Sequence, residues 1–161
     1  LHVRPIEFGS PEYAAACDLR RRFLREPLGL DLTHHDVEGE ESQHHYGLFT
    51  EVPGDAATLI GGLIGKADDD NAPRADTVRI RQVVVEKEWR AQGAGRILLL
   101  EAERRLAQVG YRRFVLYARE DAAGFYLRNG YHRTGKMTVL IGLDHELLEK
   151  QLSVDPPAAT A

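Results

Sequence analysis

Residues 79–131 read RIRQVVVEKEWRAQGAGRILLLEAERRLAQVGYRRFVLYAREDAAGFYLRNGY, and this stretch decides the fold. Val83-Val84-Val85 leads into a turn carrying Arg90-Ala91-Gln92-Gly93-Ala94-Gly95. From about Gly95 onward, Leu98, Leu99, Ala102, Leu106 and Val109 recur at helical spacing as one apolar stripe. Glu101 and Arg105 stand four apart on the solvent side, in the favourable order. Gly110 is placed to end that helix, Arg113 to Tyr117 reads as a short buried strand, and Asp121 is placed to cap a second helix that stops at Asn129-Gly130. Strand–helix–strand after a run of strands implies an α/β (α+β) single domain: a mixed, mostly antiparallel sheet flanked by helices.

Working outward, His2 to Phe8 reads as an edge strand that tolerates Pro5. Ser10-Pro11 is a helix start, with Ala16, Leu19 and Phe23 at helical spacing and Pro27 and Gly29 at its end. Arg20, Arg21, Arg22 and Arg25 are expected mostly on its solvated face. Residues 30–42 are acidic and histidine-containing and match no element pattern. His44 to Val52 and Thr58 to Lys66 form a hairpin around Pro53-Gly54-Asp55. Asp68 to Asn71 with Pro73 marks a second turn, and Thr77 to Val85 is a longer strand. In that strand Val78 and Ile80 alternate with Arg79 and Arg81, but the alternation fails at Gln82. Two readings stand: a β-bulge that frees backbone groups, or a strand end buried on both faces.

Bulk properties narrow the class. The chain has 161 residues, 25 acidic and 21 basic, with a formal net charge of −4. That length suits one core, and the charge argues against a general nucleic-acid binder. The single cysteine, Cys17, cannot form an internal disulfide, and no apolar run approaches the roughly 18 residues of a membrane span. With no signal-peptide pattern, the expectation is a cytoplasmic protein. The expected domain is residues 1–152, with residues 153–161 a disordered tail. His34-His35 and His44-His45 are adjacent pairs whose side chains diverge on a strand, so no metal site is expected.

Chemistry concentrates at the glycine turn. Gly93 and Gly95 let backbone approach an anion, and the helix they open has unpaired N–H groups at its positive end. Arg90 and Arg96 add charge, and together these groups suit a pyrophosphate. The pattern is neither a Walker A loop nor the three-glycine dinucleotide fingerprint. A tight turn with no ligand is the plain alternative.

Arg90-Ala91-Gln92-Gly93-Ala94-Gly95 resembles the Arg/Gln-x-x-Gly-x-Gly/Ala signature of the GNAT-type N-acetyltransferase superfamily. About thirty residues on, Ala122-x-x-Phe125-Tyr126 with Gly130-Tyr131 resembles the family's Ala-x-x-Phe-Tyr segment, and Ile141-Gly142 with His145 resembles its Gly-x-x-His strand. The resemblance covers residues 77–150 and is architectural over residues 2–66. It implies acetyl-coenzyme A as cosubstrate, without a metal. It implies that backbone amides of Gln92, Gly93, Ala94, Gly95 and Arg96 hold the pyrophosphate, with Arg90 beside them. Main-chain groups of Val83 to Val85, Val84 included, would pair with the pantetheine arm in a splay of the sheet, near Ala122 and Phe125. Tyr126 becomes the general acid for the leaving thiolate. The base that deprotonates the amine is open among Glu86, Glu88, His44 and His45, with His45 slightly favoured. Where many relatives carry a pantetheine-binding asparagine, this chain has Ala118-Arg119-Glu120-Asp121, so that contact is not carried over.

The resulting expectation is an N-acetyltransferase moving acetyl to a small-molecule or peptide amine by direct attack in a ternary complex, with dimers common in the family. The alternatives are a non-catalytic acyl-coenzyme A-binding sensor and a nucleotide-phosphate binder.

Overall fold

The structure, a computed structural model, describes residues 1–68 and 75–152. The second turn and the tail expected from the sequence fall on residues 69–74 and 153–161, outside the described residues. The chain forms two compact units, Leu1–Lys66 with Arg81–Arg105, and Ala67–Ile80 with Leu106–Ala161. Together the elements make an α+β fold with a mixed sheet.

The strands β1 (His2–Pro5), β2 (His44–Thr50), β3 (Thr58–Ala67) and β4 (Thr77–Val85) are neighbours in that order, and β4 passes from the second unit into the first at Arg81. β1, β2 and β3 are antiparallel, with Val3 opposite Leu48 and Gly47 opposite Gly62. Close backbone approach sets two glycines in this sheet. A Cβ on Gly47 would stand 2.8 Å from Phe49, and one on Gly61 would stand 3.0 Å from the Val84 carbonyl oxygen. Helix α1 (Pro11–Arg20) begins as its sequence predicts: the Ser10 hydroxyl accepts the Tyr13 N–H at 3.1 Å, with proline in the first turn. The chain then winds through a wide turn at Arg21–Arg25 and a tight one at Glu26–Leu28, and Gly29 ends it at φ 71°.

The arginines of this helix are not all on a solvated face. Arg20 is 2% exposed and Arg25 is also buried. The cause lies in residues 30–42, which the sequence left unassigned. There Thr33 and Asp36 close a reciprocal capping box over α2 (His34–Val37), and a tight turn follows at Glu40–Ser42. Glu40 is 0% exposed. Arg20 grips its carboxylate with two N–H groups, each at 2.8 Å, Arg81 of β4 donates at 2.9 Å, and the Tyr13 hydroxyl donates at 2.6 Å. Asp36 accepts from Arg25 at 3.0 Å. Burial works to raise the Glu40 carboxyl, but the Arg20 and Tyr13 hydrogen bonds outweigh it and hold it at about 2.

In β4 the backbone departs from regular strand geometry at the residue where the alternation fails. Gln82 takes φ 54°, the left-handed region, so the strand breaks its regular pleat there. The Gln82 side chain is held by Arg20 Nε, which donates to Oε1 at 3.0 Å. After β4, the short α3 (Lys87–Arg90) and a turn lead into α4 (Ala94–Val109). Leu98, Leu99, Ala102 and Leu106 are buried as expected, whereas Val109 is 61% exposed. Val109 is the last residue of the helix. Gly110, at φ 121°, turns the chain, with Tyr111 N–H donating to the Leu106 carbonyl.

In the second unit the order is β4, β5 (Arg113–Ala118), β7 (Leu143–Gln151), β6 (His132–Leu140). β5 pairs with β4 in parallel only over Thr77–Arg113, Val78–Phe114 and Arg79–Val115, whereas it pairs with β7 along all six of its residues. Between β5 and β6 lies α5 (Glu120–Arg128), whose cap residue is Arg119 rather than the expected Asp121. The β6–β7 turn places Ile141 at φ 48° and Gly142 at φ 75°. No helix among the described residues is long and apolar enough to cross a membrane.

Removing Glu40 leaves two arginines facing each other in the interior. Glu40→Ala is expected to destabilise the protein by about 3–5 kcal/mol, measured by urea unfolding at pH 7. The folded pKa lies below the ordinary 4.5. The contribution is therefore complete above about pH 4.5 and fades as pH falls toward 2. Between those limits Glu40→Gln should flatten the loss of stability seen in the wild type.

Candidate active site

The glycine turn is built for unpaired donors. Gly93 takes φ 76°, which a side chain disfavours, and it carries the chain directly into the 16 residues of α4. Within α4 the Ile97 N–H donates to the Gly93 carbonyl at 3.1 Å. The amides of Gly93, Ala94 and Gly95 bond no carbonyl among the described residues. Gln92 differs: its N–H is spent on the Trp89 carbonyl at 3.2 Å, and its side chain donates to the Glu88 carbonyl at 2.8 Å. Of the amides expected from the sequence to hold a pyrophosphate, Gln92 thus braces the turn. Ala94 is buried, while Arg96 is exposed.

Arg90 does more than lend charge. Its Nε donates to the Val85 carbonyl at 2.8 Å, and its guanidinium lies over the Phe23 ring at 4.6 Å. This fixes the end of β4 relative to the turn and occupies the Val85 carbonyl. Val84 and Val85 are buried, and Val83 is half-buried.

Tyr126 sits on α5 in the second unit, half-buried, with its ring edge-on to Phe125 at 5.0 Å and to Tyr131 at 5.7 Å. Among the described residues its hydroxyl has no hydrogen-bond partner. Burial raises its pKa well above that of an ordinary phenol, so it stays protonated at neutral pH. Ala122 lies in the first turn of α5, its N–H bonded to the Arg119 carbonyl at 3.0 Å.

The candidates for the base are placed less favourably. His45 is 6% exposed, stacked edge-on against Tyr13 at 5.3 Å, and its Nε2 donates to the Glu40 carbonyl at 2.7 Å. It lines a cavity of about 10 Å³ with Gln82 and Val84, at the lower limit for one water molecule. That geometry makes His45 an anchor for the Glu40 turn and gives an amine no direct approach. His44 is half-buried, and desolvation, then the neighbouring His45, lowers its pKa. Glu86 accepts from Arg22 at 2.7 Å, and Glu88 is exposed. Among the described residues no group of three or more His, Cys, Asp or Glu stands together as a metal site.

Sequence reasoning missed the Tyr13–Arg20–Glu40–Arg81 cluster. Its signal was present: Arg79 and Arg81 alternate with buried Val78 and Ile80, and a cation on a central strand requires a partner.

A glycine turn that opens a long helix is an arrangement suited to an anion. The model of the Acetyltransferase (GNAT) family matches residues 13–131, more than half of the chain, and the chain belongs to that family of acetyltransferase enzymes. A Bacillus subtilis (strain 168) protein provisionally named an acetyltransferase is 27% identical over 126 residues, covering 78% of this chain and 77% of its own length. The crystal structure of a Lactobacillus plantarum protein, provisionally named an N-acetyltransferase, superimposes with a TM-score of 0.74 at 25% identity, over 94% of this chain and 99% of that one. A GNAT family acetyltransferase from Elizabethkingia anophelis, crystallised with acetyl-CoA bound, shares the fold with a TM-score of 0.64 at 18% identity, over 94% of this chain and 97% of that one.

The close approach of β3 to β4 at Gly61 gives a direct test. Gly61→Val is expected to cost about 1–3 kcal/mol in thermal or urea unfolding, because its side chain must displace the Val84 backbone. Gly62→Ala, on the same strand, would put its added Cβ at an ordinary 3.5 Å from Ala16, so it should cost less and checks that the loss is one of packing and not of glycine removal alone.

Proposed function

We propose that residues 1–152 work as one N-acetyltransferase domain that transfers the acetyl group of acetyl-coenzyme A to a primary amine. The single observation that carries this reading is the set of three unpaired amides at Gly93, Ala94 and Gly95 in front of α4. Such a terminus favours an anion, and the diphosphate of coenzyme A supplies one. The bound acetyl-CoA of the Elizabethkingia relative supports the choice of donor. Val83, ahead of the Val85 carbonyl that Arg90 occupies, is the residue whose main chain would meet the pantetheine arm.

The chemistry follows from the bonds that change. The amine nitrogen, as the free base, attacks the acetyl carbonyl carbon. The tetrahedral intermediate then expels the thiolate as the C–S bond breaks, and the new C–N bond remains. The amine's proton is lost to solvent. Tyr126 gives its phenolic proton to the departing sulfur and recovers one from water. Burial keeps Tyr126 in its acid form, and the same poorly solvated setting makes a thiolate more basic, so the transfer is not opposed. No cysteine stands in the glycine turn or on α5, so direct attack needs no acetyl-enzyme.

Tyr126→Phe is expected to lower kcat by about 10²-fold or more, while the Kd for acetyl-coenzyme A stays within twofold. The assay follows thiol release over a panel of amines, with calorimetry for the Kd. Unchanged turnover would remove Tyr126 from the mechanism. Because burial raises the Tyr126 pKa, the wild-type rate should show no loss from phenol ionisation up to about pH 10, the ordinary value for tyrosine.

A further inference from the structure

Among the described residues, three buried side-chain nitrogens lack a hydrogen-bond partner: His2 Nδ1, Arg25 Nε and Arg79 Nε. His2 faces Glu51 at 3.3 Å, and Arg25 reaches Asp36 through its Nη2. Arg79 is different. Among the described residues its guanidinium makes no hydrogen bond or ion pair, and it lies over the face of Tyr117, 4.7 Å from the ring centroid. A half-buried cation without an anion is costly, unless its partner is a ligand.

The sheet register shows where this cation points. In the second unit Arg79 is opposite Val115, and Val115 is opposite Glu149, so Arg79, Arg113, Val115, Tyr117, Leu147 and Glu149 share one face. Helix α5 is fastened to the other face. There Lys150, opposite Phe114, donates to the Asn129 carbonyl at 3.0 Å, and Arg133, opposite Leu148, pairs with Glu120 at 2.9 Å. On the Arg79 face the acidic residue is already committed. Glu149 gives one oxygen to Arg113 and the other to His132 Nε2 at 3.0 Å. Arg79 and Arg113 therefore face one carboxylate, and Arg113 takes it.

The Tyr117 ring lies under the Arg79 guanidinium, and the N–H edge of that group has no partner among the described residues. That edge matches an oxyanion with two acceptor oxygens. Arg79 is also the last residue of β4 that pairs with β5, and four residues on, at Val83, begins the segment proposed to meet the pantetheine arm. We propose that the acceptor is an amine that also carries an oxyanion, a carboxylate or a phosphate, and that Arg79 braced on Tyr117 is its specificity-determining contact. This rests on the amine-transfer reading above and adds the class of amine.

The test compares matched acceptors in a chloride buffer: amino acids against their amides, and aminoethyl phosphate against ethanolamine. The wild type should favour the anionic member of at least one pair by tenfold or more in kcat/KM, and the pair that responds separates carboxylate from phosphate. Arg79→Gln should erase that preference through KM, leave the neutral amines within about twofold, and keep acetyl-coenzyme A binding. Arg79→Lys should restore little, because it loses both the fork and the stack. A merely structural arginine would lower both series together, which would overturn the proposal, as would equal use of neutral and anionic amines by the wild type.

A second readout does not depend on turnover. The Arg79 Nε–H resonance should shift on adding an N-acetyl amino acid or N-acetylated aminoethyl phosphate, and not with an N-acetyl amino acid amide. Such a shift in a protein that acetylates none of the amines supports the anion site while the transfer reading fails. No shift with any of these compounds overturns the site.

Discussion

A helix cannot satisfy its own first amides, and everything proposed for this protein depends on where those of α4 go. Gly93 at φ 76° turns the chain so that Gly93, Ala94 and Gly95 keep their N–H groups free of other carbonyls. Two neighbours hold the turn: Gln92 ties it to Trp89 and Glu88, and Arg90 ties it to the end of β4. The turn is therefore pre-organised. A ligand that binds there meets donors whose geometry is already fixed, which lowers the ordering cost of binding.

The first unit meets a second constraint, which is electrostatic. Arg20 and Arg81 are cations drawn into the interior, and Glu40 lies between them with four short hydrogen bonds. That carboxylate belongs to a segment with little apolar content of its own, residues 34–42. The charge cluster fastens the segment to α1 and β4, and the same Arg20 holds the side chain of the left-handed Gln82. The strained residue in the central strand is thus supported by the group that orders the loop. A non-glycine residue at positive φ persists only when its surroundings over-determine it.

Elements defined by periodicity or punctuation were legible in the sequence. The stripe of α4, the Ser10 cap, the hairpin around Gly54 and the bounds of β4 all appear as read, because each is set by neighbours in sequence. The break at Gln82 was visible as a lost alternation, and its left-handed dihedral angle was not. Residues 30–42 were not legible, since their order depends on Arg20 and Arg81, far away in the chain. The same distance explains why Arg20 and Arg25 were expected in solvent. β6 carries almost no apolar alternation and is exposed, so only its pairing with β7 defines it. Among the candidate site residues, the glycine turn was read from its own sequence and Tyr126 from the family resemblance. The engagement of Gln92, the anchoring of His45 and the unpaired Arg79 were not legible, because hydrogen-bond partners are not written in local sequence.

The account is tested most directly by titrating coenzyme A into the isotope-labelled protein, with calorimetry for stoichiometry and amide resonances for position. Saturable one-to-one uptake, with the Gly93, Ala94 and Gly95 signals moving furthest, is the predicted result. Absence of uptake, or uptake that leaves those three signals where they were, would contradict it.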